Sequence, residues 1–151
     1  MAELVRTQVF LIRTLVDVRL APALGLREGG QNLSAISGRE GRNALADLRN
    51  ETLGMRDVYE GGGSPGALGI SDLVSELSSD TDDRMRGHFA TALDAIDAVG
   101  MPLRQAALER PERVRAVYDR MAELQRTLNT EVVGLLGVSV GFSDTDGDSM
   151  R

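Results

Sequence analysis

Three acidic residues near the end of the chain, Asp144, Asp146 and Asp148, alternate with Thr145 and Gly147. Alternate carboxylates in a turn can direct several oxygen atoms at one hard cation, and this spacing is how a calcium loop opens. A complete loop also needs a later glutamate, and none follows here. Two interpretations remain. Either Asp146 and Asp148 bind a cation, or their side chains stabilise a turn through hydrogen bonds to nearby amides.

A second polar group, Ser37, Arg39 and Asn43, lies at the predicted start of a long helix. Backbone amides at a helix start can bind an anion, and a nearby guanidinium adds positive charge. On this interpretation Arg39 contacts the anion, and Ser37 and Asn43 are further ligand-binding residues. The alternative is that Ser37 caps the helix while Arg39 is a solvated charge.

The sequence contains one histidine, His88, and no cysteine. A zinc site of the usual kind requires several such ligands, so the sequence predicts none. No Ser-His-Asp or Cys-His arrangement stands out either. We therefore predict no catalytic residue and expect that the chain by itself is not an enzyme.

Hydrophobic periodicity predicts the helices that position these groups. Four long helices are expected at about 2–20, 37–60, 80–99 and 111–135, with short helices at 70–77 and 102–108. The first carries two neighbouring apolar stripes, which indicates burial on two sides, and in an isolated bundle we expect one of these sides to face water. No segment has convincing strand alternation. The predicted fold is all-α, an up-and-down four-helix bundle with short accessory helices.

The start of the second long helix has two interpretations. Its apolar seam, extended backwards, reaches Gly41 and Gly38, and glycine in a helix costs roughly 1 kcal/mol relative to alanine. The helix either includes these glycines because a backbone or ligand comes close to them, or begins later, around Arg42. The sequence does not decide between the two.

The composition is that of one folded domain. The 151 residues are 42% hydrophobic and 26% charged, a balance typical of globular chains. A net charge of -6 and only 3% aromatic residues argue against nucleic acid as a partner. The start of the chain lacks the pattern of a signal peptide, and charged residues interrupt the first apolar stretch, so no membrane span is predicted. We expect one domain over 1–151, with a partly disordered acidic tail at 141–151.

Two segments carry a resemblance to a known family. One is Ser37-Gly38-Arg39 followed by Asn43-Ala44-Leu45-Ala46-Asp47-Leu48-Arg49, and the other is the closing Leu135-Leu136-Gly137-Val138 with Asp146-Gly147-Asp148. Both resemble the C-terminal half of imelysin-like proteins, and the resemblance covers nearly the whole chain. It implies an all-helical protein of the bacterial envelope or periplasm. It also implies a link to iron or haem uptake, and the family is named for a reported insulin-cleaving protease activity.

The resemblance also implies something that this chain does not contain. The family's presumed metal motif, Gly-x-His-x-x-Glu, belongs to the N-terminal half, and Gly87-His88 lacks both its spacing and its glutamate. The expected function is therefore that of a non-catalytic half, which contributes to a ligand or metal site together with an N-terminal half. The cofactor implied for the complete protein is iron or another divalent cation.

Two alternatives stay open. The chain is part of a metallopeptidase that is active only when assembled with the N-terminal half, or it is a free-standing helical adaptor that forms a homodimer through its first helix. The adaptor hypothesis draws on the broad apolar surface of that helix.

Overall fold

The computed structural model of the protein describes residues 1–36, 43–62 and 66–139. Within these ranges the chain is helical and contains no strand, so the predicted all-α class is confirmed. The α-helices are α1 (Ala2–Arg13), α2 (Ala21–Ala23), α3 (Ala44–Glu60), α4 (Ile70–Leu77), α5 (Ser79–Asp97), α6 (Leu103–Glu109), α7 (Pro111–Thr127) and α8 (Val133–Leu135).

Two π-helical segments join α-helices into longer rods. The segment Thr14–Leu20 continues α1 into α2, and Leu128–Val132 continues α7 into α8. We call the resulting rods the first helical segment (2–23) and the last helical segment (111–135). A π-turn holds more residues per turn than an α-turn, so it changes the direction in which side chains leave the rod. The sequence predicted both rods but not the π-helical turns inside them.

The core is formed by the apolar seams that the sequence predicted. Most predicted seam residues are at most 4% exposed, and these are Val5, Val9, Ile12, Val16, Leu48, Met55, Tyr59, Met85, Phe89, Ala92, Ile96, Val114, Val117, Met121, Leu124, Leu128 and Val132. Leu135 was predicted to continue the last seam, but it is 37% exposed. That part of the prediction is wrong, because the π-helical turn just before Leu135 shifts it off the buried face.

The first and last helical segments run antiparallel. Arg6 Nε donates to the backbone oxygen of Ser139 at 3.1 Å, and farther along Gln125 Nε2 donates to Asp17 Oδ2 at 3.1 Å. The first contact joins the start of the first helical segment to a residue that follows the last helical segment. The second contact joins residues in the interior of both segments. The order of the contacts is therefore reversed between the two helical segments, as in an antiparallel pair.

The helix α5 is antiparallel to both of its long neighbours. On one side Arg49 Nε contacts Asp97 Oδ1 at 2.7 Å, while Tyr59 at the other end of α3 contacts Asp82. On the other side Arg113 donates to the oxygen of Val99 at 2.9 Å. These contacts agree with the predicted up-and-down order of the long helices.

Local residues define where the helix α3 begins and ends. Asn43 precedes it, and its backbone oxygen accepts from the amide of Asp47 at 2.8 Å. This start matches the later of the two predicted ones. At the other end Gly61 takes a left-handed φ of 92°, and a Cβ there would lie 2.6 Å from the oxygen of Ala67. Glycine is therefore required at the turn that closes α3.

None of the helices in the described parts of the chain combines the length and apolarity that crossing a membrane requires.

Candidate ligand-binding site

A cavity of about 220 Å³ lies between the first helical segment, α3 and α6. Its apolar wall includes Leu20, Leu48 and Leu103, which belong to the buried core. Its polar wall is formed by Arg19, Asp47 and Glu51. We call it the polar cavity. A mostly apolar recess with a few convergent polar groups is the usual form of a small-ligand site.

An ion pair forms one side of the polar cavity. The Arg19 guanidinium contacts Glu51 Oε2 at 2.6 Å, and both side chains are 38% exposed. The pair links the π-helical part of the first segment to the middle of α3. Because Asp47 adds a second carboxylate, the described wall holds two negative charges and one positive charge. This balance favours a neutral or cationic group over an anion at this wall.

One of the predicted ligand residues, Asn43, lies within the described residues. Asn43 directly precedes Ala44, which lines the cavity together with Ala35 and Ile36. The Asn43 side chain is exposed and makes no capping hydrogen bond to α3.

The other predicted site residues, Ser37, Arg39, Asp146 and Asp148, lie outside the described residues. Their roles in an anion or metal site stay predictions. The last described residue is Ser139, which contacts Arg6 near the start of the first helical segment.

A second recess, of about 380 Å³, continues on the other side of the Arg19–Glu51 pair. Its walls are the first helical segment and α3, with Leu4, Leu11 and Val58 on its rim. We call it the apolar groove. Leu4 is 45% exposed, Leu11 39% and Val58 38%. Among the described residues, Leu4 and Leu11 of the second apolar stripe are therefore partly exposed.

One polar side chain inside the apolar groove is buried without a complete set of partners. Gln8 is 3% exposed, and its Oε1 atom has no hydrogen-bond partner among the described residues. A buried acceptor left unpaired costs about 1–3 kcal/mol.

A hydrogen-bonded cluster fixes the opposite face of α3 against α5. Tyr59 is 1% exposed and donates to Asp82 Oδ1 at 2.9 Å, while Arg86 Nε donates to Asp82 Oδ2 at 2.8 Å. Burial, and then the hydrogen bond to Asp82, raise the pKa of Tyr59 above its ordinary value. The cluster therefore holds α3, which is a wall of both recesses, in a fixed position.

Within the described ranges, no three histidine, aspartate or glutamate side chains are grouped so that they could hold a metal ion. His88 is half-buried on α5, close enough to Glu131 to contribute to the lowered pKa of that carboxyl, for which Arg84 is the main cause.

Comparison with known families assigns the chain. The family model described as imelysin matches residues 1–129, which is most of the 151 residues. The protein therefore belongs to the imelysin family. No curated protein and no solved structure matches the chain. The match includes both recesses and all of the segment around Ser37, Arg39 and Asn43.

The sequence did not identify three residues that line the recesses, namely Arg19, Glu51 and Gln8. Arg19 and Glu51 are 32 positions apart, and only the packing of the first segment on α3 brings them together. Gln8 is a polar residue within the first apolar helix, and the sequence alone did not identify it as buried. Its position between two apolar stripes was the available signal that it is buried.

Proposed function

We propose that this chain is a non-catalytic half of an imelysin-like envelope protein, and that it builds a ligand or metal site together with an N-terminal half. The single observation that supports the proposal is the unequal burial of the two apolar stripes of the first helical segment. One of its apolar stripes is buried in the bundle, while the other borders an open groove. Exposed apolar surface of this extent is typical of a surface that a partner covers.

The exposed apolar residues of the first helical segment extend beyond the groove. Phe10 is 68% exposed and Val18 is 59% exposed, in addition to Leu4 and Leu11. Large apolar side chains are stabilised by leaving water, by about 25 cal/mol for each Å² buried. Docking of a partner on this helix would supply that burial.

The joint site would draw on two separate parts of the sequence, one around Asn43 and one around Asp146. Asn43, Ser37 and Arg39 would offer contacts to the ligand, with Arg39 contacting an anionic group. Asp146 and Asp148 would either coordinate a cation or hold the turn that closes the site. Family membership supports a location in the bacterial envelope, and we extend this to the periplasm and to iron or haem uptake as the process served.

Sedimentation of the two halves tests the proposal. The N-terminal half that carries Gly-x-His-x-x-Glu is produced as a separate chain and mixed with this one. We expect a one-to-one complex and no peptide hydrolysis by this chain alone. Hydrolysis that arises only on mixing would instead support the metallopeptidase hypothesis. Absence of a complex at micromolar concentrations would contradict the proposal.

Substitutions in the tail separate its two roles. Asp146→Ala combined with Asp148→Ala should weaken metal binding by the assembled complex if the carboxylates coordinate the ion. If they only stabilise the turn, the pair should lower the melting temperature and leave metal affinity unchanged. No change in either property would show that the tail has no part in the site.

The exposed first helix also favours a second candidate, a homodimeric adaptor. This candidate predicts that the chain alone sediments as a stable dimer and gains nothing from the N-terminal half. A monomer at the same concentrations would contradict it.

A further inference from the structure

The polar cavity and the apolar groove share one wall. Arg19 and Glu51 line both recesses, so this ion pair is the boundary at which the two recesses meet. Their volumes are about 220 and 380 Å³, and together they fall within the usual range of small-ligand sites, about 300–1,000 Å³. The two recesses therefore form one depression with a polar end and an apolar end.

The polar end attracts a positive charge. Glu51 Oε2 accepts from Arg19 at 2.6 Å, while the other carboxylate oxygen of Glu51 has no partner among the described residues. Asp47, one helical turn before Glu51, makes no side-chain hydrogen bond or ion pair within the described parts of the chain. The start of α3 carries a partial positive charge that offsets part of the charge of Asp47, so Glu51 is the stronger contact. The net charge of -6 adds a long-range attraction for cations.

The apolar end accommodates a hydrocarbon chain. From Leu15 back to Leu4 the wall of the groove is about 16 Å long, at 1.5 Å for each residue. Because Leu4, Leu11 and Val58 are partly exposed, an alkyl chain between them would be covered on one side and open to water on the other. Complete burial of one CH₂ group tightens binding about fourfold. Burial of half its surface should therefore tighten binding about twofold.

Contacts outside the recesses hold their walls in place before any ligand binds. Gln31 Nε2 donates to the backbone oxygens of Ala23 at 3.0 Å and Ala107 at 3.2 Å. These bonds tie the end of the first helical segment to α6, which is a wall of the polar cavity. The contact of Tyr59 with Asp82 fixes α3 from its opposite face. A ligand would not have to order these walls, which lowers the cost of binding.

We propose that the two recesses together bind a small single-chain amine, with its ammonium group between Asp47 and Glu51 and its alkyl chain in the apolar groove. An anionic head group would meet both carboxylates as well as Arg19. A neutral head group would leave the free oxygen of Glu51 without a charged partner. This site is separate from the joint site and goes beyond the proposed function, because the residues named for it belong to this chain. The exposed apolar residues outside the groove stay accessible to a partner.

Calorimetry of the chain alone with straight-chain amines tests the apolar end. An alkylammonium group is charged at pH 7, since its pKa is close to that of lysine, about 10.4. We expect octylamine to bind about fifteenfold more tightly than butylamine, because four additional CH₂ groups each contribute about a factor of two. Equal affinity of the two amines would overturn the placement of the chain in the groove. Absence of octylamine binding would overturn the whole inference.

The head group is tested with ligands of the same chain length. Octanol should bind about fivefold more weakly than octylamine, which is the size expected for a partly exposed ion pair. Octanoate should bind more weakly still, because its charge has the same sign as that of Asp47 and Glu51. Affinity of octanol or octanoate equal to that of octylamine would overturn the ammonium site.

Charge substitutions on α3 test the two carboxylates. Glu51→Gln and Asp47→Asn should each weaken octylamine binding about threefold to fivefold and leave octanol binding unchanged. Asp57→Asn is the matched control. It removes the same charge from an exposed position on α3 that lines neither recess, and it should change octylamine affinity by less than about twofold. Equal weakening by all three variants would show an effect of net charge alone and overturn the assigned contacts.

A pair of valine substitutions tests the groove. Val58→Thr adds a hydroxyl to the groove, and Val18→Thr makes the same change at an exposed position of the first helical segment outside the groove. Only Val58→Thr should weaken octylamine binding, by about threefold. Equal affinity of the two variants would overturn the location of the alkyl chain. All of these measurements use this chain alone, so their failure would leave the proposed function standing.

Discussion

Replacing Tyr59 with phenylalanine removes one hydroxyl from the buried contact between α3 and α5. That hydroxyl donates to Asp82 Oδ1 at 2.9 Å, and Asp82 is itself only 6% exposed. Arg86 continues to donate to the other carboxylate oxygen at 2.8 Å. In the Tyr59→Phe variant the Asp82 carboxylate therefore stays buried with one donor fewer, while the ring keeps its packing against Phe89 at 5.7 Å.

The size of the expected loss in stability follows from the negative charge of the acceptor, Asp82. A hydrogen bond to a charged group contributes about 1.5–3 kcal/mol, more than one between neutral groups. We expect Tyr59→Phe to lower the free energy of unfolding by about 2 kcal/mol at pH 7. For a chain of this length that corresponds to a fall in melting temperature of about 4–8 °C.

The same contact gives the protein a dependence on alkaline pH. Burial and the bond to Asp82 raise the pKa of Tyr59, so the folded state keeps its proton at a pH where the unfolded state loses it. The stabilisation is fully present below the ordinary tyrosine pKa of about 10 and decreases above it by about 1.4 kcal/mol for each pH unit. The chain contains no lysine, so no ammonium group titrates in the same range.

Urea denaturation followed by circular dichroism measures both effects. The stability of the unsubstituted chain should exceed that of Tyr59→Phe by about 2 kcal/mol at pH 7, and the difference should disappear near pH 11.5. Tyr118→Phe is the matched control, since Tyr118 is only partly buried and its ring contact with Arg115 survives the change. A difference that stays constant from pH 7 to pH 11.5 would refute the reasoning.

Three further outcomes follow from the packing and the ion pairs. Phe89→Ala should lower stability by about 3–5 kcal/mol in urea denaturation, because the ring is 1% exposed and leaves a cavity. Glu131→Gln should remove part of the loss in folding stability that occurs as the pH falls. Arg84 holds the pKa of Glu131 below its usual value, so that stabilisation is present above about pH 4.3 and is lost as the pH falls. If this were wrong, the free energy of unfolding of the unsubstituted chain and of Glu131→Gln would fall equally as the pH is lowered. Glu51→Gln should cost under about 1 kcal/mol, since its pair with Arg19 is partly exposed, and a larger loss would indicate a structural role for the pair.

The helices could be predicted because their signals are local. The short helix α4 was expected at 70–77 and lies at Ile70–Leu77, because an apolar spacing and a preceding glycine define it. The seam through Leu48, Met55 and Tyr59 was predicted from spacing alone and is buried. Periodicity was wrong at Leu135, which follows the π-helical segment Leu128–Val132, because residue spacing does not distinguish a π-turn from an α-turn.

The site could be predicted only in part, because its contacts join distant residues. Asn43 was chosen from its place before a helix and directly precedes Ala44, which lines the polar cavity, but its role as a ligand residue stays a prediction. The Arg19–Glu51 pair depends on how two helices pack, which the spacing within either helix does not contain. For the first helix, the sequence indicated burial on two sides, with one side facing water in an isolated bundle. Its Val5 stripe is buried, and its Leu4 stripe borders an open groove.

The central claim is that this chain contributes to a metal or ligand site only with a partner half. Titration of iron(II) into the chain, into the N-terminal half and into the mixture, followed by calorimetry under anaerobic conditions, tests it most directly. We expect no binding by the chain alone, and at least tenfold tighter binding by the mixture than by the N-terminal half. Equal affinity of the mixture and the N-terminal half would contradict the claim, since this chain would then add nothing to the site.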